Sequence, residues 1–442
     1  MKVIGGIPVF EVEFDKKGKL FDAKQLKALV EHLHAKQTTD LILFSHGWNN
    51  DLADARKLYT QFFAEFGAFA PNTANGQTRV FAAAAILWPS KKFTDKELIP
   101  GGGAAALTSQ ELAAIRARLR DLAKEPVRLG KFEPASATRR KKVAKAEKLL
   151  ANIENDPKAQ EEFVRTVRSL LATDAADKED GTNALFKMNE RKLLDSLKQP
   201  VLEPLSVSAG GTAGSFATLS TSSGGAADLG SSIHSALRRF LNLTTYYQMK
   251  ARAGTVGAQG VAGVIAKLRA ERPKLRLHLV GHSFGGRVVT AAADAAGGKH
   301  RIDSLTLLQA AFSHNGFAQK FDGKRDGFFR KVVDAKKVRG PILVTCTKND
   351  KAVGIAYPLA SRLAGQDAAA IGDENDVYGG IGRNGAVKTP EAIKGTLLAA
   401  NAAYDFVAGK IHNLVADAFI ADHSDICNPQ VAWALASAIS RT

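Results

Sequence analysis

The sequence predicts an α/β fold in which helices flank a mainly parallel sheet, with a helical insertion in the middle of the chain. Short apolar runs such as residues 40–45 (DLILFS) alternate with amphipathic helical patterns, which is the order that a parallel sheet requires. One such run leads into residues 281–286 (GHSFGG), and an apolar helical pattern follows directly. The alternation stops after residue 90 and returns near residue 236, and this break predicts the insertion.

The strands are predicted from the length and period of their apolar residues. Residues 9–14 alternate apolar and polar side chains, as an edge strand or hairpin does. The runs at 40–45 and 80–87, with a helical pattern between them, form a βαβ unit. Later strands are predicted within residues 275–280, 302–312, 341–345 and 413–420, and a final helix within 431–439. The core is therefore expected to comprise residues 1–95 and 236–442.

The segment 96–205 is predicted to be the helical insertion and a candidate cap or lid. Apolar residues recur at helical spacing in three stretches of it, and residues 139–148 are strongly basic. Residues 206–232 consist mostly of Gly, Ser, Ala and Thr, a composition typical of a flexible linker, and the linker is predicted to comprise residues 206–235.

The formal net charge of +17 predicts attraction to anionic surfaces. No nucleic-acid-binding motif is found, so nucleic acid is not an expected partner, whereas an anionic membrane surface is a candidate through the basic insertion. Cys346 and Cys427 give no disulfide framework. Because no signal-peptide pattern and no membrane-length apolar segment appear, a cytoplasmic location is expected, with export by a route without a cleaved signal left open.

The GHSFGG segment is predicted to present a nucleophile, Ser283. A serine between a buried strand and a helix occupies a tight turn that projects its hydroxyl above the edge of the sheet. Gly281 and Gly285 lack a Cβ, so that neighbouring chain can pack against this turn. His282 is expected to have a structural role.

A serine hydroxyl needs a base, and the base needs a carboxylate that orients it. Asp350 is the predicted acid because it follows the strand at 341–345, where a parallel sheet builds its site. Asp373 and Asp376, in a later polar loop, remain alternatives.

His423 is the predicted base. It lies in the polar loop between the last predicted strand and the last helix, which is the position that this chain order of serine, acid and histidine requires. His412 is the alternative, but it comes before that strand and would face the opposite end of the sheet.

Two backbone N–H groups are predicted to bind the oxyanion. One belongs to Phe284, the residue after the nucleophile. The other is assigned to Trp48 in the loop after strand 40–45, with Gly47 as the second choice, because that glycine lets the backbone approach a substrate closely.

Taken together, the segment Ser45-His46-Gly47-Trp48, the GHSFGG segment, Asp350 and His423 resemble the α/β-hydrolase superfamily of serine esterase or lipase type. The resemblance implies hydrolysis of small or lipid carboxylic esters through an acyl-enzyme intermediate. No metal-ligand spacing appears, and neither a metal nor a cofactor is expected. The insertion after residue 90 departs from the family, whose caps more often follow a later strand. The alternative is a catalytically silent α/β-hydrolase-fold module that binds membranes or partners through its basic insertion.

Overall fold

The computed structural model describes residues 1–48, 50–90, 109–171, 182–198, 233–296, 301–350, 352–353 and 379–442. The predicted linker, residues 206–235, lies outside these ranges except for its last three residues, which begin a helix.

The strands of the described residues are numbered along the chain. They are β1 (Lys2–Ile4), β2 (Ile7–Glu13), β3 (Asp40–Ser45), β4 (Thr73–Ala74), β5 (Gln77–Thr78), β6 (Phe81–Leu87), β7 (Glu125–Arg128), β8 (Lys131–Glu133), β9 (Arg276–His282), β10 (Ser304–Leu308), β11 (Ile342–Cys346), β12 (Ala392–Thr396) and β13 (Ile411–Val415).

The α-helices of these residues are numbered in the same way. They are α1 (Ala23–Ala35), α2 (Leu52–Phe69), α3 (Ser109–Ala123), α4 (Ala137–Leu149), α5 (Pro157–Arg168), α6 (Thr182–Lys187), α7 (Glu190–Lys198), α8 (Ile233–Thr255), α9 (Ala262–Glu271), α10 (Phe284–Ala296), α11 (Arg330–Asp334), α12 (Ile381–Asn384) and α13 (Pro429–Ser440).

The main sheet has the order β1-β2-β6-β3-β9-β10-β11-β13-β12. All neighbouring pairs are parallel except β1 with β2, which form a hairpin. The prediction of a mainly parallel sheet flanked by helices is therefore confirmed. Because the strands are parallel, the loops that follow β3, β9, β11 and β13 emerge along one edge of the sheet.

Each face of the sheet is covered by its own apolar layer. Helices α1, α8, α9 and α10 cover one face together with apolar side chains from the predicted insertion. Helices α2 and α13 cover the other face through residues such as Phe62 and Leu435. The described part of the insertion consists of helices α3–α7 and the β7–β8 hairpin. It contacts α8, where Arg118 donates a hydrogen bond to Asn242 at 2.8 Å. The boundaries of core and insertion remain a prediction.

A buried ion pair joins the amino-terminal ends of three central strands. Arg79 contacts both carboxylate oxygens of Asp40 at the start of β3, and both side chains are fully buried. His278 in β9 lies 2.9 Å from Asp40 through Nε2 and 2.8 Å from the Ser304 hydroxyl of β10 through Nδ1. Burial acts to raise the pKa of Asp40, but hydrogen bonds from His278 and Arg79 lower it well below its usual range.

A π-helical turn, residues 256–261, joins α8 to α9 and packs tightly against α10. A Cβ built at Gly257 would lie 2.1 Å from the backbone oxygen of Val288. Glycine is therefore the only residue that fits at position 257, where the backbone of the turn contacts the backbone of α10. By contrast, a Cβ at Gly263 in α9 would have no atom within 4 Å.

These two glycines provide a matched test of the packing. Gly257→Ala is expected to lower the free energy of unfolding by about 1–3 kcal/mol, the usual cost of overpacking. Gly263→Ala should raise it by about 0.5–1 kcal/mol, because alanine loses less backbone entropy than glycine in a helix. Urea unfolding of both variants measures the difference, and equal stabilities would contradict the described contact between the π-helical turn and α10.

Candidate active site

Ser283 is a single residue between β9 and α10, and its backbone is strained. Its φ is +55°, a conformation that non-glycine residues adopt infrequently. Two backbone hydrogen bonds hold the turn in place: the N–H of Ser283 donates to Leu308 at 3.1 Å, and its carbonyl accepts from Ala311 at 3.0 Å. The loop after β10 thus fixes the position of this serine.

The two predicted elbow glycines lie where no side chain could fit. A Cβ at Gly281 would lie 2.4 Å from the carbonyl oxygen of Gly285, across the turn. A Cβ at Gly285 would lie 2.0 Å from the carbonyl oxygen of Ser45 at the end of β3. The second contact brings the start of α10 against the loop that follows β3.

The structure brings the predicted acid and base together. His423 Nδ1–H donates to Asp350 Oδ2 at 2.8 Å, and Asp350 Oδ1 accepts the N–H of Val353 at 2.9 Å. The Asp350 side chain is fully buried. Asp350 follows β11 and His423 follows the neighbouring β13, so the parallel sheet accounts for their meeting.

The alternative residues are not part of this pair. Asp373 and Asp376 lie outside the described residues. His412 lies within β13 rather than in the loop after it, and its Nε2 accepts the N–H of Val407 at 2.9 Å.

Asp417, which the sequence analysis did not single out, joins two loops. The acid loop follows β11 and carries Asp350, and the base loop follows β13 and carries His423. Asp417 Oδ1 accepts the Thr347 hydroxyl at 2.7 Å and the N–H of Lys348 at 2.9 Å. Its carbonyl accepts the side-chain amide of Asn349 at 3.0 Å. No motif marks this residue, because its role depends on β11 and β13 being neighbours.

The environment of His423 favours its protonated form. Burial acts to lower the pKa of His423, but the charge of Asp350 and its hydrogen bond outweigh burial. Asp422 adds a further negative charge nearby. The net result is a pKa above the ordinary histidine value.

Gly47 lies directly against the serine. A Cβ at this position would be 2.6 Å from Ser283 Cβ and 3.2 Å from Ser283 Oγ. The rings of Trp48 and Phe284 are 6.1 Å apart. The three residues predicted for oxyanion binding therefore surround the serine, while the role of their N–H groups stays a prediction.

Each polar atom of His46 has a hydrogen-bond partner, and these bonds fix the start of the loop after β3. The N–H of His46 donates to the Tyr59 hydroxyl at 3.0 Å, and that hydroxyl donates to Ile86 at 2.5 Å. Trp88 Nε1–H donates to the His46 carbonyl at 3.0 Å, and the His46 ring Nδ1 lies 2.8 Å from the Gly47 carbonyl. Burial lowers the pKa of His46 to about 4, so the ring is neutral near pH 7.

Ser283 Oγ and His423 are not hydrogen-bonded to each other within the described part of the chain. They are brought near each other through His282, the residue before the serine. Its ring packs on the His423 ring with 5.0 Å between centroids.

A comparison with models of protein families agrees with this architecture. The family model described as alpha/beta hydrolase fold matches residues 245–344, which include β9, the Ser283 turn, β10 and β11. The chain has the α/β-hydrolase fold. The match stops short of Asp350 and His423. No curated protein and no solved structure matched the chain.

The described ranges offer no metal site and no second nucleophile of the thiol type. They contain no group of three or more His, Cys, Asp or Glu side chains arranged to hold a metal ion, and no helix long and apolar enough to cross a membrane. Cys346 and Cys427 are free thiols, and burial raises the pKa of each to about 12. Both are therefore protonated and poorly nucleophilic near pH 7.

The titration of His423 tests the described pair. In the wild type, its pKa is expected above 6.5. Asp350→Asn removes the charge that raises the pKa and leaves burial, so the pKa should fall below 6.5. Asp422→Asn should lower it by a smaller amount. NMR titration of the His423 ring protons gives these values, and an unchanged pKa in Asp350→Asn would contradict the pairing.

Proposed function

We propose that this hydrolase-fold protein is a serine hydrolase that cleaves carboxylic esters through an acyl-enzyme intermediate. The observation that carries the proposal is the buried Asp350–His423 pair beside a serine held at positive φ. A turn with only a structural role does not require a strained serine, a buried carboxylate and a histidine at the same edge of a sheet. Strain and shifted pKa values of this kind concentrate at functional sites.

In the proposed reaction, Ser283 Oγ attacks the ester carbonyl carbon while His423 Nε2 takes its proton. Asp350 keeps the proton of Nδ1 in place and stabilises the imidazolium that forms. The tetrahedral intermediate collapses to the acyl-enzyme, and His423 returns its proton to the departing alkoxide. A water molecule, deprotonated by His423, then attacks the acyl carbonyl and releases the acid and Ser283.

The negative oxygen of the tetrahedral intermediate needs donors that are already in place. We assign the N–H of Phe284 and the N–H of Trp48 to this role, with Gly47 as the second choice. The close approach of Gly47 to Ser283 supports the assignment, because it brings the loop after β3 directly against the nucleophile. Loss of one such donor typically costs about 3 kcal/mol in the barrier.

Aromatic side chains beside the serine suit an apolar acyl group. The Tyr246 ring of α8 lies 5.1 Å from the Phe284 ring and 6.5 Å from the Trp48 ring. Phe284 and Tyr246 belong to the apolar core and Trp48 packs against it, so the surroundings of the serine are apolar on this side. We therefore propose small or lipid esters as the substrates.

Ser283→Ala is the direct test. The variant is expected to lose fluorophosphonate labelling and at least about a thousandfold of its activity on p-nitrophenyl esters, because the attacking oxygen is gone. Ser440→Ala, in α13, removes a hydroxyl that bonds only within its own helix and should keep wild-type activity. Ester hydrolysis by Ser283→Ala at the wild-type rate would refute the proposal.

A second candidate is a catalytically silent module recruited to anionic membranes. Lys141 and Lys148 are exposed on one side of α4, which favours an electrostatic contact. Other basic residues of α4 have structural contacts: Arg139 bonds to the last carbonyls of α3, and Lys145 pairs with Glu162. Salt-sensitive liposome binding, lost in Lys141→Glu/Lys148→Glu, together with absent probe labelling of the wild type, would favour this module over the esterase.

A further inference from the structure

The side chain of His282 connects the nucleophile turn to the base loop. His282 Nε2 lies 2.8 Å from the carbonyl oxygen of His423. Because a carbonyl oxygen only accepts hydrogen bonds, Nε2 carries the proton and donates it. The residue directly before the serine therefore donates a hydrogen bond to the backbone of the proposed base. This bond joins the end of β9 to the loop after β13.

The His282 ring is fixed and neutral. It is 7% exposed, and it packs on the His423 ring with 5.0 Å between centroids. Burial, together with the nearby charge of His423, lowers the pKa of His282 to about 3. The ring therefore stays uncharged near pH 7, and the donor at Nε2 persists while His423 gains and loses a proton.

His423 is thus held at two points by different strands. Asp350, after β11, holds its ring through Nδ1. His282, at the end of β9, holds its backbone carbonyl. Asp350 and the bonds of Asp417 join the base loop to the loop after β11, whereas the His282 contact joins it to β9, the strand that leads into the serine. A shift of about 1 Å in a reacting group can cost a hundredfold in rate.

We propose that His282 is a positioning residue, which uses its Nε2–H to set the distance between Ser283 and His423. The inference rests on the proposed function of these two residues. It assigns a role to the residue directly before the nucleophile, since a side chain there with no donor at the same reach removes the hydrogen bond between the nucleophile turn and the base loop.

A matched pair of variants separates the hydrogen bond from the bulk of the ring. Glutamine places an amide donor near the position of Nε2, and methionine has a similar length and no donor. His282→Met is expected to lower kcat about tenfold with KM within about twofold, because one hydrogen bond is lost while the binding surface is kept. His282→Gln should recover activity to within about threefold of wild type. His412→Met, in a buried histidine of β13 away from the serine, is the control and should keep wild-type kcat.

The pH profile supplies a second readout. The titratable groups that interact with the His423 ring and so affect its pKa are Asp350, Asp422 and His282. If the base loop loosens, the contact with Asp350 weakens, and the acid limb of kcat/KM should move to lower pH in His282→Met and return in His282→Gln. A loss of stability alone changes the amount of active protein but leaves this limb in place.

The outcomes are distinguishable. Wild-type kcat in His282→Met, or equal losses in the Gln and Met variants, would overturn the inference. If His282→Met does not fold, His282→Asn replaces it: its amide is one carbon shorter, and it should be impaired relative to His282→Gln. Equal activity of the Asn and Gln variants would also overturn the inference. A wild-type protein that neither reacts with fluorophosphonate nor hydrolyses esters would refute the proposed function itself.

Discussion

The site depends on one steric constraint, the reversal of the chain at Ser283 between β9 and α10. The serine accepts a φ of +55° because Gly281 and Gly285 let the turn close without a clash. The same closure presses α10 against the end of β3, which places Gly47 against the serine. The parallel order of β9, β11 and β13 then brings the acid and base loops to this edge. A larger residue at either glycine would disturb all of these contacts together.

Three histidines at this edge differ in charge because their surroundings differ. Burial lowers the pKa of His46 to about 4 and that of His282 to about 3, so both serve as neutral hydrogen-bonding groups. Burial also acts to lower the pKa of His423, whose side chain is 12% exposed, but the carboxylate of Asp350 outweighs this effect and the pKa is raised. Of these three histidines, only His423 has a carboxylate partner, and its pKa is the only one of the three that is raised.

Much of the fold could be predicted, because strands buried on both faces leave continuous apolar runs. The strand at residues 40–45 was predicted with the bounds that the structure has. Strand β12 was missed, since its residues are mostly exposed at the edge of the sheet and show no apolar run. In the site, chain order together with their positions in loops after predicted strands suggested Asp350 and His423. Tyr59 and Asp417 were missed, because their roles arise from contacts between segments that are distant in sequence.

We propose that Ser283 is a nucleophile and that the oxyanion donors opposite it are already in place. A crystal structure of the protein after reaction with a fluorophosphonate tests this proposal most directly. The account predicts a covalent bond between phosphorus and Ser283 Oγ, with the phosphonyl oxygen within hydrogen-bond distance of the N–H groups of Phe284 and Trp48. An adduct on another residue, or a phosphonyl oxygen directed away from these N–H groups toward solvent, would contradict the account.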